Sequence, residues 1–169
     1  MIVYHGSTEI IKNPDVVHSK KYLDFGRGFY ITTFENQAKK WAVRKGMRQK
    51  KTAIVNVYEL SEEWSGFRVL SFEKENEKWL DFVCACRKGQ SLNKEYDIII
   101  GNVADDDVFK TVDMYFRGLW NKEKVLNELR YYKMNNQICI VKQEALDCLL
   151  TFQKAYAVSY THLRAHETD

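Results

Sequence analysis

The chain has 169 residues, 45% of them hydrophobic and 29% charged, with a formal net charge of +3 at pH 7. This suits one domain with its own core. The charge is too small for a dedicated nucleic-acid binder with a concentrated basic face. No apolar run approaches the ~20 residues that span a bilayer, and Met1-Ile2-Val3-Tyr4-His5 lacks the basic start and apolar run of a secretory signal, so a cytoplasmic protein with no membrane partner is expected.

In chain order, Ile2–Tyr4 reads as a short strand closed by a turn at His5-Gly6-Ser7. Residues 8–24 are polar and irregular, with Asn13-Pro14-Asp15 as a turn signal. Gly28–Thr33 is predicted as a strand from its aromatic and β-branched residues. Phe34–Met47 is predicted as a helix with Ala38, Trp41, Ala42 and Val43 on its apolar side. Lys39, Lys40, Arg44, Lys45, Arg48, Lys50 and Lys51 read as the solvated face of that helix.

Thr52–Leu60 alternates as a strand does, and Phe67–Phe72 is a further strand candidate. Asn76–Lys88 is an amphipathic helix, with Trp79, Phe82, Val83 and Cys86 at i, i+3, i+4 and i+7. Tyr96–Ile100 is almost all apolar and reads as a strand buried on both faces. Asp105-Asp106-Asp107 suit a helix N-terminus. Val108, Val112, Tyr115 and Phe116 then mark one helix, and Val125, Leu129 and Tyr132 the next. Gln137–Val141 is a strand, Glu144–Leu150 a short helix, and Phe152–Tyr156 a last strand. Strands and helices mix without strict βαβ alternation, which favours an α+β fold over a doubly wound sheet. No GxGxxG follows a strand, so a Rossmann site is not expected.

Cys84, Cys86, Cys139 and Cys148 have neither CxxC nor Cys–His ligand spacing and read as free thiols. Residues 158–168 read VSYTHLRAHET and resemble a translated transposase sequencing adapter. Residues 1–156 are therefore taken as the domain and 157–169 as an artefact tail. His162 and His166 lie in that tail, and no metal site is expected.

Two segments carry the chemistry: Tyr4-His5-Gly6-Ser7, and Asp24-Phe25-Gly26-Arg27-Gly28-Phe29-Tyr30-Ile31-Thr32-Thr33 followed by a helix bearing Ala38 and Trp41. Together they resemble the nucleotide-binding core of the ADP-ribosyltransferase superfamily, in the His–Tyr–Glu branch that includes the poly(ADP-ribose) polymerases and diphtheria toxin. An uncharacterised bacterial family of that superfamily shows the same HGS opening, DFGxGFYxT strand and QAxxWA helix. The resemblance runs from Met1 to about Leu150. It implies an α+β split-sheet core with flanking helices and NAD as co-substrate. The implied reaction moves ADP-ribose to a macromolecular acceptor, protein or nucleic acid, and releases nicotinamide. A toxin-like or defence role with an antitoxin-like partner is implied as well.

The resemblance gives His5, Tyr30 and Gln137 the three catalytic positions. His5 ends a strand beside a glycine, so its ring can reach a ribose hydroxyl; in the family this is the adenosine-side ribose. Gly6 lets the backbone approach the ligand closely and in the family pairs with the nicotinamide amide. Ser7 meets a ribose, Arg27 the pyrophosphate, and Gly28 belongs to the same NAD-binding segment. Tyr30 and Trp41 offer two aromatic faces for a flat cation. Ala38 stands where some relatives carry a hydroxyl. Gln137 occupies the catalytic Glu position, where a carboxylate stabilises an oxocarbenium-like transition state by its charge. An amide keeps the hydrogen bond and loses the charge, so Gln137→Glu is expected to restore it, and Glu144 is a nearby carboxylate able to substitute. Two readings follow: a mono-ADP-ribosyltransferase, or a catalytically weak or inactive NAD/ADP-ribose-binding module. A tRNA 2′-phosphotransferase-type relative is disfavoured by Tyr30.

Overall fold

The computed structural model describes residues 1–18, 23–73, 77–104, 106–129 and 135–159. The strands among them are β1 (Ile2–Ser7), β2 (Phe29–Ile31), β3 (Ala53–Leu60), β4 (Val69–Ser71), β5 (Ile98–Gly101), β6 (Gln137–Ile140) and β7 (Leu150–Val158). The helices are α1 (Glu35–Gln49), α2 (Glu77–Arg87), α3 (Asp106–Phe116), α4 (Lys122–Leu129) and α5 (Gln143–Leu149). The fold is α+β, with helices and two sheets mixed along the chain. One sheet has the order β1-β3-β7 and is antiparallel throughout. The other has the order β2-β6-β5-β4, with β4 and β5 parallel and the remaining pairs antiparallel.

Alternation along the strands sorts side chains into separate apolar clusters. Val3, Phe29, Ile31, Tyr58, Leu60, Ile98, Ile138 and Ile140 pack with Leu146 and Leu149 of α5. On the other side of β5 and β6, Ile99 and Cys139 pack against Trp79, Leu80 and Val83 of α2, Val108 and Val112 of α3, and Val125 and Leu129 of α4. Ala38, Ala42 and Val43 of α1 cover Val55 and Val57 of β3. Burying a Val- or Leu-sized side chain contributes ~1.5–3 kcal/mol, so each amphipathic helix is held mainly by its apolar stripe.

Three local expectations change. The chain does not turn at His5-Gly6-Ser7; β1 runs on through Ser7, because Gly6 and Ser7 pair with Val55 and Ile54 of β3. The ladder outweighs glycine's weak strand preference. A 3-10 turn at Leu92–Glu95, absent from the sequence reading, leads into β5. The last strand starts directly after α5 and runs two residues past the boundary at 156: Ala157 pairs with Ile54 and Val158 with Ala53. Val158 is buried against the α1–β3 layer. The rest of the adapter-like tail from residue 160, together with Tyr132 and Asp105, lies outside the described residues.

Cys84, Cys86 and Cys139 are buried free thiols and Cys148 is an exposed one. No helix among the described residues is long and apolar enough to cross a membrane.

Candidate functional site

Among the described residues, one backbone bridge joins the two sheets. Tyr4 of β1 and Thr32, just after β2, exchange backbone hydrogen bonds of 2.8 and 3.0 Å. Beyond that bridge the strands part, and the His5 ring takes over: its Nδ1 lies 2.6 Å from the Tyr30 carbonyl oxygen. A carbonyl only accepts, so Nδ1 carries the proton and Nε2 keeps its lone pair. The ring stacks on Phe29 with centroids 4.3 Å apart. Burial lowers the His5 pKa to about 4, the bond to the Tyr30 carbonyl opposes this in part, and the Lys45 charge adds to the lowering. His5 is therefore a neutral acceptor at neutral pH.

A cavity of about 1310 Å³ opens at this split. It is larger than the ~300–1,000 Å³ typical of a small-molecule pocket. β1 gives it His5, Gly6 and Ser7; the segment into β2 gives Asp24, Gly28, Phe29 and Tyr30. α1 contributes Trp41, Arg44, Lys45 and Arg48, a stripe at i, i+3, i+4 and i+7 that one helix face must present together. Gln137 of β6 and Arg87 at the end of α2 complete the wall near Val103 and Ala104.

Seven residues expected at an NAD site thus line one cavity: His5, Gly6, Ser7, Gly28, Tyr30, Trp41 and Gln137. Arg27 and Ala38 do not. Arg27 is exposed, because Gly26 turns the chain with φ +77° while its inner side is filled by the Asn93 amide; Asn93 donates to the Arg27 carbonyl at 3.0 Å. Ala38 is fully buried under β1. Its carbonyl sits where a Cβ on Gly6 would go, and the Ala42 nitrogen is 2.7 Å from the same point. Gly6 therefore makes room for α1 on its side-chain face, while its backbone borders the cavity. Glu144 is exposed and away from the cavity wall.

Tyr30 is held tightly. Its hydroxyl donates to the Gly26 carbonyl at 2.5 Å and accepts from the Phe25 amide at 3.0 Å. Burial is the main cause of a strongly raised Tyr30 pKa, so the phenol stays protonated and clamps the loop before β2. Behind it, burial also pushes up the Cys139 and Cys86 thiols, the latter to about 12. Neither is a thiolate nucleophile at neutral pH.

Gln137 is 3% exposed and opens β6 at the point where that strand is pinned to the start of α1. Asn136 Oδ1 accepts from Thr32 Oγ1 at 2.9 Å and from the Thr33 amide at 3.0 Å. Gln37 of α1 donates to the Asn136 carbonyl at 2.6 Å. The Gln137 amide nitrogen donates to Asp24 Oδ2 at 3.0 Å and to the Asn102 carbonyl at 3.4 Å. Asp24 is itself bound by Arg87, whose Nε and Nη2 lie 2.9 and 2.5 Å from Oδ1, and by the Ala104 amide, 3.0 Å from Oδ2. In the sequence Asp24 stands out only as part of the Asp24–Thr33 motif, and Arg87 carries no signal of its own. The basic side chains of α1 expected on a solvated face include Arg44, Lys45 and Arg48 of the cavity wall; their spacing with Trp41 is the signal in the sequence.

Chemically, the cavity presents the His5 Nε2 and Gln137 Oε1 acceptors, aromatic faces, and a cationic flank. Such a wall suits a ligand with sugar hydroxyls, a flat ring and phosphates. The fold and site define a small α+β domain with a ligand-sized cavity where its two sheets part. The chain belongs to the family described as Protein of unknown function (DUF3990), whose model matches residues 1–152 and so spans the whole cavity wall. No curated protein matches the chain.

Proposed function

We propose that the chain is an NAD-dependent mono-ADP-ribosyltransferase that moves ADP-ribose to a macromolecular acceptor and releases nicotinamide, in a toxin-like or defence role. One observation carries this: three separated sequence segments bring His5, Tyr30, Trp41 and Gln137 to a single cavity. Neutral His5 accepts a ribose hydroxyl at Nε2. Trp41 and Tyr30 offer ring faces to the nicotinamide. Arg44, Lys45 and Arg48 supply positive potential for the pyrophosphate, the task the resemblance gave to Arg27. Gln137 accepts from the nicotinamide ribose. The C–N bond to nicotinamide breaks with its electron pair leaving on nicotinamide, and a nucleophile of the acceptor forms the new bond to the ribose carbon.

A specific observation supports a second reading, a non-catalytic NAD or ADP-ribose binding module: residue 137 is an amide. Incubation of the purified protein with NAD labelled in its adenylate half and with a bacterial lysate separates the two. Label on protein or nucleic acid with free nicotinamide is the expected result. Binding of NAD by calorimetry with no nicotinamide released establishes the module, and absence of binding removes both readings.

A further inference from the structure

We infer that Asp24 is a positioning residue that fixes the Gln137 amide and charges it from behind. An isolated glutamine amide can present either end to a ligand. Here the choice is made by the protein: Asp24 is acceptor-only when ionised, so the Gln137 nitrogen must face it, and the 3.0 Å bond records that. The oxygen is then committed to the other side. No donor among the described residues reaches Gln137 Oε1, no buried polar side-chain atom among them lacks a partner, and Gln137 lines the cavity, so Oε1 is open to the cavity.

Asp24 can do this because it cannot move. Arg87 holds one oxygen through two nitrogens, and the Ala104 amide shares the other with Gln137. The Arg87 and Asp24 side chains are only 18% and 10% exposed. Hydrogen bonds in series polarise one another in a low-dielectric site, so a carboxylate accepting from the amide nitrogen makes Oε1 a stronger acceptor. The negative charge absent from residue 137 thus stands one hydrogen bond behind it. The ligand group at Oε1 must be a donor, such as a sugar hydroxyl. Identifying that donor with the nicotinamide ribose rests on the proposed function; the fixing of the amide does not.

The test has one arm that needs no ligand. In ¹H–¹⁵N spectra of the wild-type chain, the Gln137 side-chain amide is identified by its absence in Gln137→Ala. Its protons are expected to exchange with solvent at least about tenfold more slowly than those of exposed glutamines, and Asp24→Asn brings them to the exposed rate. A wild-type Gln137 amide that exchanges like an exposed one overturns the proposal, whether or not NAD is cleaved. A protected amide in a wild type that does not bind NAD upholds the positioning and removes the NAD reading alone. If the wild type releases nicotinamide, Asp24→Asn is expected to lower kcat at least about tenfold while KM for NAD stays within about threefold. Unchanged kcat in folded Asp24→Asn overturns the coupling. If Asp24→Asn does not fold, Asp24→Asn combined with Arg87→Met removes both charges and gives the same two readouts.

Discussion

His5 is a base that the fold keeps from its proton. Its pKa falls from 6.5 to about 4 on folding, so the unfolded chain takes up the proton first as pH drops. The stability tied to neutral His5 is complete above pH 6.5, declines between about 6.5 and 4, and levels off below that. The full shift corresponds to at most roughly 3 kcal/mol. His5→Asn keeps a donor for the Tyr30 carbonyl and removes the titration. Denaturant unfolding of both proteins from pH 7.5 to 4.5 is expected to show the wild type losing stability relative to the variant across that window; a constant difference would mean that His5 does not titrate with folding. Gln137→Glu behaves differently from what its sequence position suggests. In the sequence it restores a catalytic charge, but in the fold it sets a second carboxyl beside Asp24 at hydrogen-bond distance. Two close carboxylates cannot both ionise easily, and one pKa rises. A raised folded pKa gives stability below the unfolded Glu value of ~4.3 that is lost as pH rises through the folded value. The variant is expected to be near wild type at pH 4.5 and lower by roughly 2 kcal/mol at pH 8, about one to two pKa units, with no gain in nicotinamide release at pH 7. A Glu variant equally stable at pH 8, and faster, would remove Asp24 from its place behind residue 137.

At the scale of elements, the site depends on how closely α1 lies on β1. The helix buries the small residues Ala38 and Ala42 on that side, and Gly6 meets their backbone without a side chain between. This approach carries Trp41, Arg44 and Lys45 to the cavity. Gly6→Ala forces α1 outward and is expected to cost ~1–3 kcal/mol, as overpacking does, with weaker NAD binding beyond the loss of folded protein. Thermal melting with calorimetry separates the two effects; an Ala variant as stable as wild type would place α1 farther from β1. The helices and most strands were legible in the sequence because each buries a face, and burial imposes a period of 3.6 or 2. The extension of β1 through Gly6 and Ser7 was not, since it comes from pairing with Val55 and Ile54 of β3, far along the chain and without any local signal. Leu92–Glu95 was missed because a single 3-10 turn has no period to detect. Of the cavity wall, His5, Tyr30, Trp41 and Gln137 were legible through the family resemblance. Arg87 was not: at the end of an amphipathic helix it reads as solvated charge, and its partner Asp24 is 63 residues away.

The whole molecule places its cavity beside Tyr4–Thr32, the one backbone bridge between the two sheets among the described residues. A ligand there contacts β1, the segment into β2, α1 and β6 at once, so it ties both sheets together and binds the folded state alone. Such a ligand at 100 times its Kd stabilises by ~2.7 kcal/mol, which in a domain of this size raises Tm by roughly 5–10 °C. NAD is expected to give that rise, and ADP-ribose a smaller one, because only NAD brings the cationic ring that Trp41 and Tyr30 face. Equal shifts from the two would show that the aromatic end of the cavity is idle. The same measurement locates the end of the functional domain. Removal of residues 160–169 is expected to leave both Tm and the NAD shift unchanged. Removal from Ala157 onward also strips Val158 from the α1–β3 layer and is expected to lower Tm while preserving the NAD shift. A lost shift in the shorter truncation, with Tm intact, would instead assign the tail to the ligand.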